Sequence, residues 1–408
     1  MFVIAAARLL LVLAFASPAF APPAFAQDTR VAQLERQRAE KATRLKPYEP
    51  TKLEGLLMQE GRLRRLLFPH NGFFVEFGYS YKPVGAGVGF GGGWRHDLFG
   101  RQARVVLEAG GTFRRYQMVR ADFSLPRLAG ERLELGVEGI YRKHPQEDFF
   151  GLGLDTTEDM RVTYLFKGNE VQGRAIFTPL DQVQLGTRFG TLHTSVGPGT
   201  DDRFPSIEVL FDDSAAPGLL VQPDYRYGEA FATFDNRDEP GNARAGGNYE
   251  IKWRKFSDSS LDRYSFRLFQ AHGTHFFPIF DKKRVFAVQG QLVATAADDG
   301  NDVPFFMQPT LGGGHSLRSV NDYRFRDKSL FGFNVEYRWE AFAALDMALF
   351  TDFGTVAPRV SDLDFGELKY AYGIGFRFNT AKSVLYRIDI GTGAGEGFHY
   401  FFKFSNVF

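Results

Sequence analysis

The chain has 408 residues, and its 49 Lys and Arg are balanced by 48 Asp and Glu, so it lacks the basic excess that a nucleic-acid-binding surface needs. Cysteine is absent, which excludes disulfides, thiolate nucleophiles and thiolate metal sites. The compositional bias lies in Phe and Gly, 44 of each.

Residues 1–26, "MFVIAAARLLLVLAFASPAFAPPAFA", carry one basic residue, Arg8, and an apolar stretch over residues 9–15. They end in Ala24-Phe25-Ala26, a small-residue cleavage site before Gln27, and so read as a secretory signal peptide. The apolar stretch is too short for a membrane-spanning helix, and no later run is long enough for one. Export of this kind places the mature chain in the periplasm, the medium or the outer membrane. Residues 27–68 are rich in charged helix formers with leucines at helical spacing, broken at Pro47 and Pro50. They predict a short periplasmic helical segment. It is either a docking arm or plug, or a solvated leader that only delivers the rest of the chain.

From about residue 73 the period changes to two. In "FGFNVEYRWEA", Phe331, Phe333, Val335, Tyr337 and Trp339 share one face, and Asn334, Glu336 and Arg338 the other. "LDMALFTDFG" sets Leu345, Met347 and Leu349 against Asp346 and Asp352, and "YAYGIGFRF" sets Tyr370, Tyr372, Ile374, Phe376 and Phe378 against Arg377. The last segment sets Phe398, Tyr400, Phe402, Phe404 and Phe408 against His399, Lys403 and Ser405. A soluble sandwich would turn such an apolar face inward, whereas a membrane barrel turns it to lipid around a polar lumen. Long strands, aromatics gathered on the apolar face and a terminal Phe408 favour the barrel. The predicted fold is therefore all-β: a transmembrane antiparallel β-barrel over residues 69–408, of about sixteen strands, with a short helical segment before it. The strands are expected to start near residues 84, 102, 118, 132, 160, 182, 225, 246, 261, 284, 304, 329, 344, 369, 384 and 398. An even number leaves both termini in the periplasm. The glycine-rich run 84–95, "VGAGVGFGGGWR", is read as the first strand, which must pair with the last. Its glycines either weaken that seam or permit sharp curvature.

The stretch 311–327, "LGGGHSLRSVNDYRFRD", comes after about the eleventh expected strand, and so lies on the outer face. It resembles the signature of the bacterial surface antigen family, the barrel domain of the outer-membrane insertase and two-partner-secretion superfamily. Leu317 and Arg318 match the tip of that family's sixth extracellular loop, and Tyr323, Arg324, Phe325, Arg326 and Asp327 match its downstream part. Ser319 and Val320 stand where glycine and an aromatic are usual. Segments 145–156, 234–253 and 349–356 resemble other family segments in the same order. The resemblance implies that the loop, about residues 301–329, folds into the lumen. It also implies that Arg318 meets acidic groups at the positions of Glu336 and Asp352, a pairing that suits a guanidinium able to bond two carboxylates at once. The C-terminal Phe398, Tyr400, Phe402, Phe404 and Phe408 resemble the signal by which outer-membrane proteins are recognised for assembly.

Family members that insert or export polypeptides usually carry polypeptide-transport-associated domains before the barrel, and residues 27–68 are too few for one. Two function classes remain. One is an insertion or translocation barrel of the outer membrane of a Gram-negative-type bacterium. Its expected partners are outer-membrane lipid, the machinery that inserts the barrel itself, client outer-membrane polypeptides and a periplasmic protein that docks on residues 27–68. The other is a passive pore or surface antigen with no client. No enzyme is expected. Gly-x-Ser-x-Gly and His-Glu-x-x-His are missing, and His272 and His275, three apart on a strand, face opposite sides. Asp201, Asp202, Asp212 and Asp213 match no fixed calcium loop and read as a solvated acidic connection. No cofactor and no metal are called for.

Overall fold

Period-two alternation produces strands along the whole C-terminal part of the chain in a computed structural model, which describes residues 36, 40, 69, 71–77, 88–342, 344–380 and 383–403. The expected signal peptide, Phe404 and Phe408 lie outside the described residues. Of the expected helical segment only Arg36 and Glu40 are described, both helical.

The strands in chain order are β1 (Gly72–Phe77), β2 (Gly89–Leu98), β3 (Ala103–Thr112), β4 (Gln117–Leu128), β5 (Leu133–Phe149), β6 (Val162–Leu180), β7 (Val183–Pro198), β8 (Asp224–Asp235), β9 (Gly246–Asp258), β10 (Phe266–Ile279) and β11 (Arg284–Ala297). Two short strands come next, β12 (Thr310–Leu311) and β13 (Phe325–Arg326), and then β14 (Ser329–Phe342), β15 (Leu345–Ala357), β16 (Lys369–Asn379), β17 (Val384–Gly393) and β18 (Phe398–Lys403). All but β12 and β13 form one antiparallel sheet of 16 strands in sequence order, with β1 and β18 at its ends. β12 and β13 pair with each other inside the connection between β11 and β14.

Connections alternate in length. One rim carries the long ones, among them 150–161, 199–223, 298–328 and 358–368; the other carries tight turns such as 129–132, 181–182 and 280–283. The sheet curls around the 298–328 loop. Arg324 in that loop pairs with Glu396, between β17 and β18, and also bonds the hydroxyl and carbonyl of Thr156, between β5 and β6. One side chain reaches both regions because the wall curves round it.

The alternation also sets the two faces. Trp253, Leu349, Tyr372 and Tyr400 point out of the wall and are 47%, 50%, 56% and 62% exposed. An apolar outer belt of this kind is stable only against lipid. Inward, Glu336, Arg338, Asp352, Arg377, Arg387 and Asp389 are buried. His272 bonds Gln289 on the inner face, while His275 bonds Tyr249 on the outer one, so the two histidines do face opposite sides.

Two strand expectations are corrected. The described part of the glycine-rich run belongs to β2, which is flanked by β1 and β3, so it is not the first strand and does not form the seam. β1, "GFFVEF", is too short for its alternation to stand out in the sequence. The strand expected near residue 304 is a 3-10 turn, Phe305–Met307, with Phe305 buried. Pro304 and Pro309 bracket it and remove the donors that a wall strand would need. One strand is gained and one lost, so among the described residues the count of sixteen stands with a different membership.

Candidate functional site

Residues 311–327 form a compact hairpin that turns back into the barrel. Gly312 and Gly313 take φ of 139° and 78°, which a side chain would resist, and a Cβ on Gly313 would collide with the Asp322 carboxylate. The Ser316 hydroxyl accepts the Gly312 N–H and donates to the Gly312 carbonyl, which locks the turn. Leu311, Leu317, Val320 and Phe325 then pack against Leu330, Val356 and Ala371 of the inner wall. Val320, in the position where the family has an aromatic, is fully buried there, and Ser319 donates to the Tyr370 carbonyl at 3.2 Å.

This packing delivers Arg318 to the faces of β14 and β15. Its Nη1 lies 2.9 Å from Glu336 Oε1, its Nη2 2.6 Å from Asp352 Oδ1, and its Nε 2.8 Å from Asp352 Oδ2. The Phe350 ring lies under the guanidinium, 3.6 Å from carbon to centroid, within cation–π range. The structure therefore brings together Arg318, Glu336 and Asp352, and it adds groups that the sequence did not single out. Arg338 bonds Glu336 at 2.8 Å, Arg377 bonds Glu336 and forms an ion pair with Asp389, and Arg387 bonds Asp389 and the Gly314 carbonyl. Four guanidiniums (318, 338, 377, 387) and three carboxylates (336, 352, 389) thus share one buried cluster, with a formal surplus of one positive charge. The available signal was the inward parity of "LYRIDIG", which places Arg387 and Asp389 on the lumen side.

The rest of the motif holds the hairpin higher up. Tyr323 is half-buried with a left-handed φ of 62°. Arg324 makes the contacts with Glu396 and Thr156 that tie the loop to both sides of the wall. Arg326 donates to the Phe305 carbonyl at 2.6 Å and to the Tyr164 hydroxyl at 3.3 Å. Asp327 accepts the Lys328 N–H. Segment 145–156 joins here through Gly153, whose N–H donates to the Arg326 carbonyl at 2.8 Å. Phe305 packs with Phe149, Val162, Tyr164, Ile207 and Leu219, so the long connections share an apolar core above the lumen. Of the C-terminal aromatics, Phe398, Tyr400 and Phe402 face outward. Elsewhere the lumen is lined with paired charges, such as Arg174 with Asp122 and Glu134, and Arg254 with Glu229.

The Omp85 superfamily domain model matches residues 97–398. Among solved structures, the chain is similar to BamA from Haemophilus ducreyi lacking POTRA domains 1–3, with 14% identity and a TM-score of 0.63. That match covers 81% of this chain and 69% of the BamA chain. It is also similar to CdiB from Escherichia coli, with 11% identity, a TM-score of 0.51, and coverage of 81% of this chain and 61% of CdiB. The chain thus spans less than two thirds of the length of CdiB. These likenesses carry the β-barrel fold. No curated protein matches the chain.

Proposed function

Because the chain belongs to the Omp85 superfamily, outer-membrane barrels related to insertion and translocation machinery, we propose that it acts on outer-membrane polypeptides with its lumen loop latched by Arg318. The observation that carries this reading is the fully buried contact of Arg318 with Asp352 and Glu336, which fixes the tip of a long loop inside the barrel. A loop whose tip is pinned inside the barrel favours this reading over a passive pore, whose task needs an open lumen. In this reading the long connections are extracellular, and the tight turns, the N-terminus and residues 27–68 are periplasmic. Residues 69–408 form the barrel, and the seam falls between β1 and β18. A client or a periplasmic partner meets the chain from the tight-turn side.

The test is folding of a urea-unfolded eight-stranded outer-membrane barrel into vesicles that contain the protein, read by the gel shift of the folded form. Wild type is expected to speed folding several-fold over empty vesicles, and Arg318→Ala, itself folded, to lose most of that gain. Equal rates with and without the protein would leave the passive barrel as the correct reading.

A further inference from the structure

The turn between β8 and β9, residues 236–245, does not stay at its own edge of the wall. Asp238 organises it by accepting the N–H groups of Arg244 and Ala245 on one carboxylate oxygen and the Lys282 ammonium on the other. So shaped, the turn runs inward. Ala243, only 2% exposed, packs with Phe276, Val285 and Ala287 on the inner faces of β10 and β11. Arg244 then bonds both carboxylate oxygens of Asp346 on β15, at 2.9 and 2.7 Å. Asn242 donates to the Thr380 carbonyl, and the Gly241 carbonyl accepts the N–H of Val384, the first residue of β17.

β9 and β17 are six steps apart in a sheet of 16 strands, so these contacts run across the mouth as a chord. Four kinds of anchor hold the chord: a two-oxygen ion pair, a side-chain hydrogen bond, a main-chain hydrogen bond and an apolar plug. A turn that merely joined two neighbouring strands would need none of them. Its inner end also touches the lumen cluster, because Phe276, against which Ala243 packs, lies under the Arg338 guanidinium at 5.5 Å.

We propose that residues 236–245 are a strut that shuts the short-turn mouth of the barrel, a second barrier in series with the loop at the other end. The strut goes beyond the latch reading and does not depend on any client.

The test has two parts. The native chain is free of cysteine, so a single introduced thiol reports cleanly. Ala243→Cys is labelled with a membrane-impermeant maleimide and compared with an exposed control, Lys283→Cys. Labelling at least ten-fold slower than the control is expected, with the difference largely lost on adding Asp346→Asn. Labelling at the control rate in the otherwise native chain would overturn the strut. In planar bilayers, the single-channel current is then compared for Arg318→Ala, for Asn242→Ala with Arg244→Ala, and for all three together. The expected result is a large, steady current only from the triple variant. A full current from Arg318→Ala alone shows that the mouth is already open and overturns the strut. A full current from the turn variant alone upholds the strut and overturns the loop as a barrier. Silence from all three also overturns the strut, since its anchors then do not govern the mouth.

Discussion

Arg318 and Asp352 meet through three hydrogen bonds: the main-chain N–H and Nε of Arg318 on one carboxylate oxygen, and Nη2 on the other. The main-chain bond matters as much as the guanidinium, because it ties the backbone of the loop tip to the wall and not merely the end of a flexible side chain. Buried ion pairs contribute little net stability against an apolar substitute, but removing one partner costs about 3–5 kcal/mol, since the other charge is left buried. We therefore propose that the pair fixes where the loop lies.

Arg318→Ala tests that role. It leaves Asp352 with the main-chain N–H as the sole survivor of its bonds to residue 318, and takes one of the donors from Glu336. With Ser319→Cys as reporter, buried in the native chain, thiol labelling is expected to rise by on the order of 100-fold, the equivalent of about 3 kcal/mol. Arg318→Lys should recover little of this, because an ammonium cannot span two carboxylates in the planar geometry of a guanidinium. Labelling unchanged by Arg318→Ala would mean that the apolar contacts alone place the tip.

Gly391 probes the same contact from the wall. A Cβ there would sit far inside van der Waals contact distance of the Arg318 carbonyl oxygen, a backbone atom that cannot swing aside. Gly391→Ala is expected to lift the tip and raise Ser319→Cys labelling as Arg318→Ala does, with no change of charge. If the label stays protected, the approach of loop to wall is looser than the geometry implies.

Asp322 sets a pH dependence. Burial pushes its carboxyl up to about 6, against the pull of nearby Lys403, and one of its oxygens has no hydrogen-bond donor. An acid whose pKa is higher in the folded state binds more protons folded than unfolded between pH 3.8 and about 6, so stability falls as pH rises through that window. The loss is complete above about pH 6 and amounts to about 3 kcal/mol. Urea midpoints of wild type at pH 5 and pH 8 should differ in that direction, and Asp322→Asn should remove much of the difference. A wild-type midpoint that rises toward pH 8, or an Asn variant as pH-sensitive as wild type, would contradict the assignment.

The sequence made one face of each strand readable, and with it five of the seven cluster residues. Glu336, Arg338, Asp352 and Arg377 could be placed on the lumen side by parity alone, and the loop motif named Arg318 as a candidate partner. Parity does not tell how deep a loop descends, so nothing in "LYRIDIG" marked Asp389 as a ligand of three guanidiniums. The contact of Arg244 with Asp346 joins residues 102 apart in the chain, one in the turn between β8 and β9 and the other on β15. No local pattern encodes such a contact. The glycine-rich run was misplaced for a related reason. A six-residue strand such as β1 shows too few alternations to be seen, and its pairing with β2 is visible only in the sheet.

Asp389 gives a sharp test of the cluster, because, like Glu336, it faces three guanidiniums. Arg377 lies 2.7 Å from it, Arg387 bonds its other oxygen, and Arg318 lies 3.6 Å away. Asp389→Asn would leave four guanidiniums facing two carboxylates in a site with no solvent access, and should cost about 3–5 kcal/mol. Arg387→Met removes one of the stranded charges at similar volume. The double variant should therefore be more stable than Asp389→Asn alone, with the two effects clearly non-additive, as expected for residues in one network. Urea unfolding in lipid vesicles, read by gel shift, measures the cycle. Additive effects would mean that Arg387 is held by the Gly314 carbonyl and not by Asp389, and that the cluster divides into separate pairs.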